Sequence, residues 1–196
     1  ESATSPEANT PSTEVRVVDP AGRDVPERTV GEIALRSNCM LSGYYHRPDA
    51  TARSFIDGWY LTGDFGYLAG GELYVSGRKK DLIIVGGKNV YPQDIEELVM
   101  TVDGVHPGRV AAFGVFDDEA GTEEVVVVAE LEDGAGVDEE VRQAVADAIR
   151  RTVTRGSAIA LRHVHLVERG WMVKTSSGKT ARSANREKWM AEISER

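Results

Sequence analysis

The apolar positions change their rhythm near Gly77. Before it, short aliphatic runs at residues 15–19, 31–36 and 72–76 are separated by Pro, Gly and Asp clusters, which predicts strands joined by turns. Residues 48–55 read as a short helix with Pro48 in its first turn. Residues 1–13 are polar, contain proline and carry no periodicity, so a disordered lead-in is expected there. After Gly77, strand and helix patterns alternate. Residues 82–85 form an apolar strand, and residues 92–101 a helix with Ile95, Leu98 and Val99 on one face. Strands follow at 110–116 and 124–131, the second a valine run suited to burial on both faces. Residues 137–154 give the clearest helix, with Val141, Ala144, Val145, Ala148 and Ile149 at helical spacing. A strand at 162–167 and a helix at 183–193 close the chain. The fold class expected is α+β: a small, mostly β unit over 14–77, then a compact α+β domain over 82–196, with 78–81 as the joint. No internal repeat interrupts this order.

Composition narrows the class. At 196 residues with 41% apolar and 7% aromatic content, the chain can bury one large core or two small ones. A formal charge of −9 argues against a nucleic-acid binder, which needs a basic surface. Two basic groups survive this balance: Arg78, Lys79 and Lys80, and then Lys174, Lys179, Arg182 and Arg186. Cys39 is the only cysteine, so no internal disulfide forms, and a lone thiol without a motif reads as a packing residue. No apolar stretch reaches membrane-span length and no signal-like segment opens the chain, so a cytoplasmic location is expected.

Several segments carry candidate chemistry, each with a plainer alternative. In Thr62-Gly63-Asp64, an Asp beside a glycine can accept a pair of ribose-like hydroxyls, but taken alone the segment reads as a turn. Arg78 offers a planar fork for phosphate or vicinal oxygens. The cluster Arg78-Lys79-Lys80-Asp81 alone reads as a charged strand edge. Gly86 and Gly87 permit close backbone approach by a ligand, or simply connect strand to helix. In Lys174 to Arg182, a Ser-Ser-Gly turn presents Lys179 on a charged arm that could neutralise a transferring phosphate; the alternative is a polar linker. The tail Gly178-Lys179-Thr180 mimics a phosphate-binding P-loop. That loop needs a glycine five positions before Gly178, where Val173 stands, so the P-loop reading fails. His163 and His165 share a strand face without a carboxylate or Cys cluster, and no metal site is expected.

The order of these elements is more telling than any one of them. Gly31-Glu32-Ile33, Gly43-Tyr44-Tyr45, Thr62-Gly63-Asp64, Gly77-Arg78 through Pro92, and Ser177-Gly178-Lys179 together resemble the adenylate-forming superfamily. That superfamily includes acyl-CoA synthetases, peptide adenylation domains and luciferases, and the likeness runs from about Val15 onward. Lys80 to Val85, Tyr91 to Glu96 and Thr175 to Lys179 look most like fatty-acyl-AMP ligases. Gly86-Gly87-Lys88-Asn89-Val90 looks more like the glycine loop of acyl- or aryl-CoA ligases, and Val173 replaces a proline usual before the lysine loop.

The resemblance implies roles. Asp64 would accept hydrogen bonds from the ribose hydroxyls of ATP, and Arg78 would touch the same ribose. Lys80 would be the hinge between the last subdomain of a large N-terminal region and a mobile C-terminal domain. Lys179 would reach the substrate carboxylate and the α-phosphate, and Gly86 and Gly87 would later line the path of a phosphopantetheine thiol. The implied function is ATP-dependent activation of a carboxylic acid, a fatty acid by the subfamily likeness, to acyl-AMP and its transfer to the phosphopantetheine thiol of a carrier protein. The alternatives are an acyl- or aryl-CoA ligase portion using coenzyme A, or a non-catalytic module that binds a carrier protein. The family's phosphate loop, acyl pocket, adenine-contacting segment and magnesium-binding glutamate have no counterpart here. The resemblance therefore implies a truncated or split ligase, a magnesium site largely outside this chain, and no adenylation by this chain alone.

Overall fold

The computed structural model describes residues 12–132 and 138–194. The chain divides into two compact units, the first ending at Lys80 and the second beginning at Asp81.

The first unit is a five-stranded antiparallel sheet. Strands β1 (Thr13–Val18), β2 (Gly31–Ser37), β4 (Trp59–Ala69) and β3 (Phe55–Ile56) follow in that spatial order, and β5 (Glu72–Arg78) pairs with β4. Its core is small: Val18, Ala34 and Trp59 are buried together. The guanidinium groups of Arg16 and Arg36 lie 4.9 and 4.5 Å from the Trp59 ring centre, covering its faces with cations rather than apolar side chains. Helix α1 (Pro48–Arg53) stops two residues sooner than its pattern suggests, because Phe55 and Ile56 leave it to pair with Tyr60 and Trp59.

Two expectations change here. Of the proposed lead-in, residues 1–11 lie outside the described residues, but Ser12 and Thr13 are tied down. The Ser12 amide donates to Asn38 Oδ1, and Thr13 opens β1 opposite Ser37. Cys39 is exposed rather than packed, with its Sγ 3.1 Å from Ser37 Oγ.

The second unit is built on a three-stranded sheet ordered β10–β9–β8, from β8 (Val105–Asp117), β9 (Thr122–Leu131) and β10 (His163–Val167). Strands β8 and β9 are antiparallel, and β10 runs parallel to β9 after the crossover helix α3 (Glu139–Ser157). The valine run on β9 is buried on both faces, as its composition predicts. Val125, Val127, Ala129 and Leu131 face helices α2 (Pro92–Met100) and α3 across a core that includes Ile95, Val99, Ile149 and Val153. Val126 and Val128 face Phe113, Met172 and Trp189, the last on helix α4 (Arg182–Ser194). This is an α-β-α sandwich with period-two burial in its central strand.

Asp138 caps α3 through its side chain, which accepts the Glu140 amide. Val137, taken into this helix by its pattern, lies outside the described residues. The remaining pair, β6 (Ile83–Val85) and β7 (Lys88–Val90), forms a hairpin of its own.

Truncating Ile149 to Ala removes a fully buried side chain between the sheet and α3. The cost should be about 2–5 kcal/mol, read as a lower urea midpoint with an unchanged slope.

Candidate functional site

The geometry of the first candidate site comes from two irregularities in β4. Against β2, the pairs Ala34–Leu61 and Glu32–Phe65 advance β2 by two residues while β4 advances by four. The surplus is a bulge holding Thr62, Gly63 and Asp64, and Gly63 takes a φ of +73° that favours glycine. This segment was expected to be a turn, but it is a bulge inside a continuous strand. Thr62 Oγ1 fixes its shape by donating to the Ile33 carbonyl at 2.9 Å and accepting the Asp64 amide at 3.0 Å.

The bulge sets Asp64 directly opposite Arg78 on β5. Arg78 Nε donates to Asp64 Oδ1 at 3.0 Å, with the two side chains 57% and 33% exposed. Such an accessible pair adds little to stability. It leaves Asp64 Oδ2 and the outer nitrogens of Arg78 with no recorded partner among the described residues. A recess of about 300 Å³ lies beside them, lined by Thr62, Gly63, Arg78, Lys79 and Lys80. Lys79 is engaged nearby, donating to the largely buried Glu32 at 2.8 Å. Lys80 is exposed in a short 3₁₀ turn, Lys79–Asp81, and the boundary between units falls immediately after it.

The glycine pair occupies a different setting from the one expected. Gly86 and Gly87 do not link a strand to a helix; they form the two-residue turn of the β6–β7 hairpin, with φ of +55° and +78°. Two successive positive φ angles match a type I′ turn, and nothing lies within 4 Å of where their side chains would project. The hairpin is held from β9. Thr122 Oγ1 accepts the Gly86 amide at 2.8 Å and donates to the Ile84 carbonyl at 3.0 Å, while Glu123 accepts the Ile84 amide at 2.6 Å. Beside the turn runs an open groove of about 730 Å³ whose lining includes Leu82, Ile84 and Phe116.

Lys179 stands on a tight loop before α4. Gly178, with φ of +80°, closes a turn whose amide donates to the Thr175 carbonyl at 2.8 Å. Thr175 then pairs with the Lys179 backbone twice: its amide donates to the Lys179 carbonyl at 2.8 Å, and its Oγ1 accepts the Lys179 amide at 3.1 Å. The lysine side chain is exposed and has no recorded partner among the described residues. The polar-linker alternative does not describe this loop, which is a small closed hairpin.

Arg182, grouped with the free basic residues by sequence, is instead neutralised by neighbouring carboxylates. It donates from Nε and Nη2 to Glu96 at 2.7 and 2.6 Å, and from Nη1 to Asp81 at 3.1 Å. Its hydrogen bond with Glu96, opposed by burial, raises its pKa further and keeps it charged.

Sequence reasoning missed the supports of these groups. Thr122, Glu123, Glu130 and Asn185 lie outside the quoted motifs, and Glu96 lies within one without a role assigned to it. Glu130 carried a signal, being a charge at the end of a valine run, and Glu96 sat beside the apolar face of its helix. Nothing local marks Asn185. His163 and His165, read as a shared strand face, lie edge-on to Trp189 and Trp171. Among the described residues no three His, Cys, Asp or Glu side chains gather where they could hold a metal ion. No helix among them is long and apolar enough to cross a membrane.

No family model matches the chain. It is 36% identical to a Mycobacterium tuberculosis protein named as a fatty-acid–CoA ligase, FadD21, over 87% of this chain and 31% of that relative. It is 35% identical to the 4-hydroxyphenylalkanoate adenylyltransferase of Mycobacterium marinum, over 91% of this chain and 30% of the relative. Among solved structures, McyG A-PCP complexed with phenylalanyl-adenylate matches with a TM-score of 0.81 and 32% identity, over 92% of this chain and 32% of that one. A structure from studies of fatty acyl-adenylate ligases of E. coli and L. pneumophila matches at 0.76 and 29% identity, over 94% and 32%. The fold is that of the C-terminal part of an adenylation enzyme. The chain belongs to the adenylate-forming superfamily as a homologue of that part, and spans about 31% of the length of its curated relatives.

Replacing Thr122 with Val removes the acceptor of the Gly86 amide while keeping the side chain's shape. Hydrogen exchange at Gly86 should quicken by up to roughly tenfold, the worth of one net hydrogen bond, with Val126 in the core strand unchanged.

Proposed function

We propose that this chain is the C-terminal portion of an ATP-dependent ligase that activates a carboxylic acid as acyl-AMP and transfers it to a phosphopantetheine thiol. The observation that carries the reading is the Asp64–Arg78 pair, 3.0 Å apart, with Arg78 two residues before the last residue of the first unit. Asp64 Oδ2 is suited to the ribose hydroxyls of ATP, and the outer nitrogens of Arg78 to the same sugar. ATP use is supported by the likeness to an adenylate-bound adenylation domain and to ATP-bound MatB from Rhodopseudomonas palustris.

In the first step a carboxylate oxygen bonds to the α-phosphorus as the bond to the bridging oxygen breaks and pyrophosphate leaves. Lys179 approaches the carboxylate and α-phosphate, offsetting negative charge as the two anions meet. In the second step the sulfur of the thiol bonds to the acyl carbon, the bond to AMP breaks, and the thiol proton goes to solvent. Gly86 and Gly87 present bare backbone to that arm, with Lys80 as the pivot between the two arrangements. The ligands of magnesium are proposed to lie outside the described side chains.

The names of the relatives favour a fatty or a 4-hydroxyphenylalkanoic acid as substrate, and we place the acceptor on a carrier protein. Coenzyme A is the competing acceptor, favoured by the glycine-rich Gly86-Gly87-Lys88-Asn89-Val90 segment.

Pyrophosphate exchange with both acid classes tests the first step. The chain by itself should give none; the whole enzyme carrying it should exchange, and Lys179→Ala should lower the rate roughly 100- to 1000-fold. Exchange by the isolated chain that Lys179→Ala abolishes would overturn the requirement for a further region. Efficient thioester formation with free coenzyme A, compared with a loaded carrier protein, would replace the carrier assignment.

A further inference from the structure

The side chain of Asn185 is fully buried on α4, and each of its polar atoms is engaged by the feet of the loop that carries Lys179. Its Oδ1 accepts the Val173 amide at 2.8 Å. Its Nδ2 donates to the Val173 carbonyl and to the Ala181 carbonyl, each at 2.9 Å. Flipping the amide would set its oxygen against two carbonyls, so the surroundings allow one orientation only. Val173 precedes the loop and Ala181 follows it, and the Ala181 amide also donates to the Val173 carbonyl at 3.2 Å. The two feet are thereby locked to one buried amide. Further out, Lys174 bridges Thr180, and Thr175 pairs with the Lys179 backbone through both its amide and its hydroxyl. Upstream, the buried Glu130 accepts the amides of Gly170 and Met172 at 3.1 and 2.8 Å.

These bonds serve a side chain that makes none of its own among the described residues. Lysine has a flexible four-carbon stem, so the place of its charge depends on how firmly its backbone is held. A surface loop containing Ser-Ser-Gly would ordinarily be mobile. Here its base is fixed from inside the domain and its tip is closed on itself.

We propose that Asn185 and Thr175 are positioning residues for Lys179, acting on acyl-adenylate formation and not on the thiol step. Asn185 sets the direction in which the loop leaves the domain, and Thr175 sets the stance of the Lys179 backbone within it. The proposal rests on the reading of Lys179 given above. It makes a claim of its own: damage to these two residues falls on one half-reaction.

The test uses the whole enzyme carrying this chain, with Asn185→Asp and Thr175→Val, and the acid it accepts best. Pyrophosphate exchange reads the first half-reaction. Transfer from a chemically made acyl-adenylate to pantetheine reads the second. Asn185→Asp puts a carboxylate against two carbonyls, and kcat for exchange should fall on the order of 100-fold, as expected for a misplaced catalytic group. KM for ATP and the rate of transfer to pantetheine should stay within about twofold, since uniform binding is untouched. Thr175→Val, at an exposed position, should lower exchange in the same direction by roughly tenfold.

An equal loss in both half-reactions would overturn the proposal, because a general folding defect lowers the two together. Unchanged exchange in Thr175→Val would overturn it even where Asn185→Asp fails to fold. Lys179→Ala serves as the reference. If it abolishes exchange while the other two variants do not, the positioning idea alone falls. If it leaves exchange intact, the reading of Lys179 falls first.

Discussion

The second unit depends on one partly buried ionic contact, that of the buried Glu96 with Arg182. The carboxylate takes two hydrogen bonds from the guanidinium and a third, at 3.0 Å, from the Ala112 amide on β8. Arg182 adds Asp81, the first residue of the unit. One cluster thus ties together the start of the domain, helix α2, the central sheet and the first residue of α4. Breaking such a pair by removing one partner leaves a buried charge uncompensated, a cost of about 3–5 kcal/mol. Its position matters as much as its energy, since Arg182 lies three residues after Lys179 and one after Ala181. The point where the lysine loop rejoins the domain is therefore set by the same contact that sets where the chain enters it.

The candidate chemistry is placed by backbone irregularities rather than by regular structure. A bulge in β4, made possible by Gly63, brings Asp64 across from Arg78. A two-glycine turn makes the β6–β7 hairpin, and a left-handed Gly178 closes the lysine loop. Each of these segments is then tied by a side chain: Thr62 of the bulge itself to β2, Thr122 of β9 to β6, Asn185 of α4 to the loop feet. The sheet supplies rigidity, and the irregular segments supply direction. This division is common where a site must hold side chains in one geometry.

Much of the architecture was legible from periodicity. The valine run of β9 predicted burial on both faces. The apolar spacing of α3 predicted its core face only in part: Val145 and Ile149 are buried, but Val141 and Ala144 are exposed, while Ala146 and Val153 are buried instead. Strand ends were less legible. Lys88–Val90 carries two polar residues and was passed over as a strand, because its pairing with β6 is decided by the turn and by β9, not by hydrophobicity. Thr62-Gly63-Asp64 by itself reads as a turn, because Gly and Asp signal turns locally. Eleven residues of continuous strand overrode that signal once β2 and β5 paired on either side.

The sequence by itself determined the order of elements, the α+β class and the identity of the charged groups, since these follow from local spacing and from side-chain chemistry. It also placed the chain in its superfamily through the order of its motifs. Only the tertiary structure decided which of those charges are available. Arg182 and Lys79 are held by buried carboxylates, Asp64 and Arg78 hold each other at an accessible edge, and Lys179 projects without a partner among the described residues, on a loop fixed from below. Charge availability depends on contacts between residues as many as 101 positions apart, as between Asp81 and Arg182. No local pattern encodes a contact of that separation, because it exists only once packing has brought the two elements together.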